Sequence, residues 1–506
     1  MILSKENLQH VAATAVSLPT AGLFELPEKV LQFGTGVLLR GLPDYFIDKA
    51  NRAGVFNGRV VVVKSTNKGD LSDFDQQDNL YTLCVRGLEK GQAVEENIIS
   101  SAISRVIAAD ADWSSIMELA LSKDLKVIIS NTTEVGLSLV EESIRQNPPV
   151  SFPAKLVAIL YKRYEMLKEA AGHLVIIPTE LIPDNGDKLK IIVREIAAYN
   201  QLDDGFNAWL DVHVTFCNSL VDRIVPGKPA DQELADLTAS LGYEDQLLAM
   251  VEPYRLWAIE GDERVASILS FSQVDPGVVI TSDIEKYREL KVRLLNGTHT
   301  LSCGIAVLSG IDTVKNGMNH AALHQYIKTV MQQDIIPAIP YEVEAQEAFA
   351  FSDVVLDRFA NPYIAHLWLG ITVQYTMKMK IRIFPLLAEH YALNLEAPAH
   401  LAFGFASYLL FMRSVEKDGK YYGHYNDQEY LIQDDQATHF ASAHAAHPDP
   451  LAYFNQVFDN AAFWETDLND LPGFKDAVHL HYTNMTKQGI AAALLSFNQH
   501  HSTSKS

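Results

Sequence analysis

LQFGTGVLLRG, residues 31 to 41, followed by RVVVV, residues 59 to 63, decides the fold class. Lys29 to Phe33 (KVLQF) is a short apolar run that Gly34-Thr35-Gly36 breaks, and from Val37 to Ala53 the apolar residues resume at helical spacing. A β-branched run such as Arg59 to Val63 suits a strand buried on both faces, as in a parallel sheet. Strand, glycine turn, helix and second strand form a βαβ unit. A side-chain-free turn before a helix lets a pyrophosphate approach backbone amides, so Gly34 and Gly36 are candidate cofactor contacts. The third glycine of Gly-x-Gly-x-x-Gly is replaced by Leu39, and the glycine pair alone serves backbone geometry as readily as a ligand.

Outward from this unit, Leu80 to Glu96 reads as an inserted hairpin, with LYTLCVR and QAVEE flanking GLEKG. A helix over Trp113 to Ser122 precedes the strand-like LKVIIS (125 to 130), and a long helix over Pro153 to Ala171 precedes HLVIIPT (173 to 179). Such alternation predicts a Rossmann-type, doubly wound parallel sheet. Beyond residue 282 the texture changes to helical periodicity with few strand signals, as in HAALHQYIKTVMQQDI and LAFGFASYLLFMRSV. The expected organisation is an α/β chain with a dinucleotide-binding domain over 1–281 and a mainly helical substrate and catalytic domain over 282–506.

The 506 residues, 48% of them hydrophobic, suffice for two domains with substantial cores. Against 41 Lys and Arg stand 63 Asp and Glu, a formal charge of −22, which repels nucleic acid and anionic lipid. Neither is an expected partner; a small molecule is, and an acidic one would need locally gathered cations. Three cysteines, Cys84, Cys217 and Cys303, lie more than 80 residues apart without a Cys-x-x-Cys pair, and read as buried, reduced thiols. No apolar run is long enough to span a membrane, and MILSKENLQH lacks the pattern of a secretory leader, so a cytoplasmic location is expected.

The strand RVVVV runs into Lys64-Ser65-Thr66-Asn67, with Asp70 the first acid beyond it. An acid normally bonds the adenosine ribose there, so the sequence leaves NAD versus NADP open. No Gly-Lys-Ser or Gly-Lys-Thr occurs, which argues against nucleotide-driven phosphoryl transfer.

The chemistry-bearing segment of the second half is KVRLLNGTHT, residues 291 to 300. On an α-helix Lys291, Asn296 and His299 would fall at about 0°, 140° and 80°, with about 12 Å of rise from first to last. The head groups converge only through the lysine stem and some irregularity near Gly297. Spacing alone fits a solvated lysine, an Asn-Gly turn and a core histidine equally well.

LQFGTGVLLRG, SNTTEVG (130 to 136), NSLVDRIVPG (218 to 227), EPYRLWAIEG (252 to 261) and KVRLLNGTHT occur in this order. Together they resemble the long-chain polyol dehydrogenase family that includes mannitol dehydrogenase. NTTE, PTELIPDNGD (178 to 187) and RFANPYIAHLW (358 to 368) resemble the members that interconvert keto-hexuronates and hexonates. The resemblance implies an NAD-dependent oxidoreductase that transfers hydride without a metal. Lys291, in the family's Lys-x4-Asn-x2-His pattern, is then the general acid-base, Asn296 the donor to the reacting oxygen, and His299 the orienting group. It further implies Asp222 as a substrate contact and Thr133 and Glu134 as contacts near the nicotinamide. A lysine titrating near ~10.4 needs burial or a neighbouring cation to work both ways at neutral pH, so Lys291 is expected to be buried.

Two departures bear on the substrate. The polyol-acting members carry a second oxyanion asparagine where this sequence has Leu181, and a polyol-binding arginine where it has Gly370. In their place Lys378, Lys380 and Arg382 cluster in TMKMKIRIFP, and Lys378 is the expected contact to an acid substrate. At alternate helical spacing the three cannot share one side. The pairs His320/His324 and His439/His444/His447 have metal-ligand spacing but lack the His-Glu-x-x-His pattern, and no metal is expected. A different keto-hexuronate (fructuronate), a polyol such as mannitol, and a non-catalytic nucleotide-binding protein are the competing readings.

Overall fold

The computed structural model describes residues 1–65, 70–132, 136–393, 396–426 and 428–502. The chain divides into two compact units: Met1–Gly87 with Ala93–Ile284, and Leu88–Gln92 with Glu285–Ser506.

The first unit is built on β1 (Glu28–Phe33), β2 (Arg59–Lys64), the hairpin β3 (Tyr81–Glu89) and β4 (Gln92–Ser100), then β5 (Ile103–Ala108), β6 (Val127–Ser130), β7 (Leu174–Pro178) and β8 (Val214–Phe216). Six of these form a parallel sheet in the order β5-β2-β1-β6-β7-β8. The apolar runs are long because both faces are covered. Leu31, Phe33, Val61, Val63 and Ile128 pack on one side, with the helix Phe152–Leu167. Their neighbours Val30, Val60, Val62 and Ile129 pack on the other, with the helix Pro43–Arg52. This is the two-residue period of a strand.

The helix after the glycine turn is not continuous over Val37 to Ala53. It breaks into Val37–Gly41 and Pro43–Arg52 at Leu42, whose φ of −133° and ψ of −76° are not helical. Pro43 is the reason, since the residue before proline is driven out of the α region. The hairpin between β3 and β4 turns on Lys90 and Gly91, both at positive φ, a two-residue connection of the kind that matches strand twist. Beyond the main sheet, β9 (Ser219–Asp222), β10 (Ala249–Val251), β11 (Leu256–Glu260) and β12 (Val278–Thr281) complete two small sheets, β10-β3-β4 and β12-β11-β9.

The second unit is mainly helical. Thr298–Leu308 and Ala399–Phe411 pack at its centre, and the second of these is buried at every residue from His400 to Phe411. Helical periodicity did not reveal an antiparallel sheet of β13 (Ser414–Lys417), β14 (Lys420–Tyr425) and β15 (Gln428–Ile432). Its first turn is Asp418-Gly419, both at positive φ, the commonest short hairpin signal. Gly423 is required there: a Cβ would stand 2.3 Å from the Tyr430 ring, which stacks on Phe411 at 4.6 Å. Among the described residues no helix is long and apolar enough to cross a membrane. The three cysteines are buried free thiols.

Beneath the glycine turn lies a buried polar pair. Gln32 on β1 donates from Nε2 to Asp44 Oδ2 at 3.3 Å and to the Gly34 carbonyl at 3.5 Å. Asp44 is fully buried, and Oδ1 has no partner among the described residues. Burial pushes its carboxyl up to about 7, against the pull of Gln32 and Arg40. The folded chain therefore holds a proton that the unfolded chain releases near pH ~4. Native stability from this group is full below that pH and is lost as pH rises toward about 7, by at most about 4 kcal/mol. Asp44→Asn should remove this component. Denaturant titrations at pH 5 and pH 8 are expected to show the variant gaining on the wild type at the higher pH; a gap independent of pH would contradict the assignment.

Candidate active site

In the six-stranded sheet the strand order reverses between β1 and β6, so the crevice at their carboxyl ends is the natural ligand position. The backbone closes this point tightly: Asn131 N–H donates to Phe33 O at 3.1 Å and Gly34 N–H to Val63 O at 3.2 Å. The two glycines of the turn do different things. Gly34 has φ +132°, and a Cβ there would lie 2.9 Å from Leu39 Cδ1 and 3.1 Å from Asn131 O, so the fold itself demands glycine. Leu39, in place of the third glycine, is the side chain packed against it. Gly36 precedes the helix Val37–Gly41 with ordinary φ and open space where a Cβ would be. That space belongs to a cleft of about 530 Å³ lined by Gly34, Thr35, Gly36, Lys64, Ser65 and Thr132, among others, a size suited to a small-molecule or cofactor site.

Lys64 ends β2, where an acid would bond a ribose. Asp70 is committed locally, accepting from Ser72 N–H at 3.1 Å and Ser72 Oγ at 2.7 Å. Thr66, Asn67, Thr133 and Glu134 lie outside the described residues. Asp222 is buried at the end of β9, opposite Leu256 of β11.

Glu180 gains a definite place that its sequence context did not reveal. Its Oε1 accepts from Thr132 N–H at 2.8 Å and Thr132 Oγ1 at 3.0 Å, and its Oε2 from Ser130 Oγ at 3.2 Å. Burial raises its carboxyl above the usual range, against the pull of these bonds. Glu180 thus staples the end of β7 to the segment after β6 that lines the cleft. The adjacent Leu181 is 65% exposed.

In the helical unit, Glu285–Leu290 runs into a π-helix over Lys291–Gly297 and then into Thr298–Leu308. This changes the helical-wheel geometry. With i→i+5 hydrogen bonding, residues five apart lie one turn above another, so Asn296 stacks over Lys291 rather than about 140° away as on an α-helix. The buried residues of the segment are Arg293, Leu294, Leu295 and Gly297, and its open side carries Lys291, Val292 and Asn296. Lys291 is consequently only partly buried, a correction to the burial its chemistry led us to expect.

Arg293 explains why the π-turn persists. Its guanidinium grips Glu289 through Nε (2.7 Å) and Nη2 (3.0 Å). Its Nη1 donates to the carbonyls of Ile381 (2.7 Å) and Arg382 (2.9 Å), in a second π-helical turn, Met379–Ile383. A third π-turn, Val330–Ile335, meets them at Gly297, where a Cβ would touch both Ile383 and Ile335.

His299 is 8% exposed, and its Nε2 has no hydrogen-bond partner among the described residues. Its ring stacks on Phe359 at 4.0 Å and meets His366 and Trp368 edge-on at 5.3 and 5.8 Å. Burial first, then the charges of His366, Arg382, Arg358 and Lys378, holds the imidazole well below its usual value, so it is neutral. Lys378 and Arg382, four residues apart, share the side facing His299. Lys380 points away and binds Phe463 O (2.6 Å) and Glu465 (2.7 Å). Arg358, Phe359 and His366 complete the cluster. All three stand in RFANPYIAHLW, to which sequence reasoning assigned no separate roles. Of the histidines at metal-ligand spacing, His320 Nδ1 caps a helix by accepting from Leu323 N–H, His439 stacks on Phe463 and His444 bonds Ser414 O.

The neutral state of His299 is directly observable. Imidazole NMR signals assigned by comparison with His299→Asn are expected to stay fixed from pH 8 down through ~6.5, because the pKa is lowered below that unperturbed value. A titration midpoint near ~6.5, the unperturbed value, would contradict the buried cationic setting.

Comparison with known proteins agrees with this architecture. Residues 28–273 match the mannitol dehydrogenase Rossmann domain and residues 283–486 the mannitol dehydrogenase C-terminal domain. A relative from Halalkalibacterium halodurans named altronate oxidoreductase is 40% identical over 435 residues, covering 85% of this chain and 84% of the relative. Another of that name from Bacillus subtilis is 37% identical over 474 residues, covering 93% and 95%. Among solved structures, Pseudomonas fluorescens mannitol 2-dehydrogenase, in a ternary complex with NAD and D-mannitol, superposes with TM-score 0.69 at 21% identity over 99% of this chain and all of that one. A substrate-free D-sorbitol dehydrogenase superposes at 0.76 with 19% identity, over 98% of this chain and all of that one. The motif order read from the sequence and these matches agree: the chain belongs to the mannitol dehydrogenase family.

Proposed function

We propose that this chain is an NAD-dependent altronate oxidoreductase, reducing tagaturonate to altronate with NADH in the cytoplasm. The observation that carries the reading is the setting of His299: a buried neutral imidazole in the helix that continues the Lys291–Gly297 π-turn, with Arg358, Lys378 and Arg382 near enough to hold its charge down. On a protein of net charge −22, a local group of cations is what an acid substrate needs. The names of the relatives from Halalkalibacterium halodurans and Bacillus subtilis support the same substrate.

The cofactor's pyrophosphate fits the cleft at Gly34 and Gly36, where the absent Cβ of Gly36 leaves room and backbone amides begin a helix. When bound, a dihydronicotinamide supplies the hydride. Negative charge then develops on the ketone oxygen, and Lys291 donates the proton that neutralises it. Asn296, one π-turn above, donates an amide hydrogen bond to the same oxygen. His299 holds a substrate hydroxyl and moves no proton of its own, in keeping with its neutral state. Lys378, whose Nζ is anchored on Ile371 O at 2.8 Å, adds positive charge for the acid group, and Asp222 and the Thr133-Glu134 segment contribute contacts to substrate and nicotinamide.

Purified protein assayed with NADH should reduce tagaturonate in preference to fructuronate, favour NADH over NADPH, and oxidise mannitol more slowly than altronate. Mannitol or fructuronate turning over faster would overturn the substrate assignment. Lys291→Ala is expected to lower kcat/KM at neutral pH by at least about 100-fold; retention within about tenfold, a loss of only ~1.4 kcal/mol, would remove Lys291 from proton transfer. Lys378→Ala should raise KM for the acid more than it lowers kcat, as loss of a binding charge does, and an unchanged KM would exclude it from the acid-binding site.

A further inference from the structure

The cations of the helical unit's π-turns are not equivalent. Lys380 is paired with Glu465, and Arg293 with Glu289. Arg382 has no carboxylate of the described residues within ion-pair distance. Its Nη1 donates to the Asn296 carbonyl at 3.3 Å and to Thr300 Oγ1 at 3.1 Å, which fixes the guanidinium plane against the turn that carries Asn296 and His299. Among the described residues its Nε–Nη2 edge has no partner, and this is the edge that meets a carboxylate at two points. The surroundings offer no substitute. Asp434, which acts on Lys378, already accepts from the backbone N–H groups of Thr376 (2.7 Å) and Gln436 (2.8 Å). Arg382 is buried enough that its guanidinium is pushed down to about 10, and a desolvated cation without a counter-ion is costly to the fold.

A second observation points to the same ligand position. His299 Nε2 is buried without a partner among the described residues, although the ring is clamped by Phe359 on one face. A polar atom so placed is expected to find its partner in a ligand. The loop side of this cluster is open, with His366, Leu367 and Gly370 exposed.

We propose that Arg382 is the carboxylate receptor of this site: its Nε–Nη2 edge forms a two-point contact with the carboxylate of the sugar acid, while His299 Nε2 takes a neighbouring hydroxyl. Arg358 and Lys378 supply supporting charge. Arg382 is then the residue that gives the site its preference for an acid over an uncharged sugar, a role that the lysines of TMKMKIRIFP, as point charges, cannot fill geometrically. The inference rests on the proposed reduction of a keto-hexuronate.

The test compares kcat/KM for tagaturonate and for an uncharged ketohexose in the wild type, Arg382→Gln and Arg382→Lys, with melting temperatures recorded for each. The acid-to-neutral ratio is expected to fall at least about 30-fold in R382Q and at least about tenfold in R382K, which keeps the charge but loses the fork. Should R382Q melt well below the wild type, R382K carries the comparison, and ethylguanidinium added to Arg382→Ala should restore turnover of the acid but not of the neutral sugar. Equal losses on both substrates, or no rescue, would overturn the role of Arg382 while leaving the substrate reading intact. A wild type that reduces no keto-hexuronate would overturn the substrate reading, and the carboxylate receptor with it.

Discussion

The guanidinium of Arg293 ties together two irregular turns at the heart of the helical unit. It binds both oxygens of Glu289 within its own helix and the carbonyls of Ile381 and Arg382 in another. A π-turn leaves backbone groups spaced for i→i+5 bonding and persists only where its surroundings hold it. Here an arginine buried to 7% exposure does so. Two consequences follow from the one contact. Asn296 is brought over Lys291, and the turn carrying Arg382 is held beside the turn carrying Asn296 and His299.

The nucleotide-binding half relies on a different constraint, the close approach of β1 and β6. Gly34 is needed because Asn131 O and Leu39 already fill the space a side chain would take. Glu180 then fastens the segment after β6 to the end of β7 through Thr132 and Ser130. Gly36 is left with room that the protein itself does not use. Gly34 is thus fixed by close packing, with Leu39 occupying the place of the third glycine, whereas Gly36 stands in open space.

Electrostatics distinguish the two halves of the chemistry. The chain is acidic as a whole, yet the environment of His299 is cationic, and burial makes that local charge count for more than the distant surface acids. The same burial keeps His299 neutral, which suits a hydrogen-bonding partner better than a proton donor. Lys291 itself is partly exposed, on the open side of its turn.

Much of this was legible in the sequence. RVVVV and KVLQF read as strands because a two-face burial pattern leaves no alternation to mistake for a helix, and the order of five motifs identified the family. Lys291, Asn296 and His299 could be named as a set, but not placed, because helical spacing assumes an α-helix and Arg293 imposes a π-turn through partners almost ninety residues away. Pro43 carried a readable signal for the helix break at Leu42, and Asp418-Gly419 one for the missed hairpin; periodicity on either side outweighed both. Arg358, Phe359 and His366 reach His299 only by folding, since more than fifty residues separate them in sequence. What the sequence by itself determined was local: strand and helix period, the glycine turn, and which residue types were available for acid-base chemistry. Only the tertiary structure decided which cations stand against His299 and which pair elsewhere, because that choice rests on long-range packing and on burial, which no local pattern encodes.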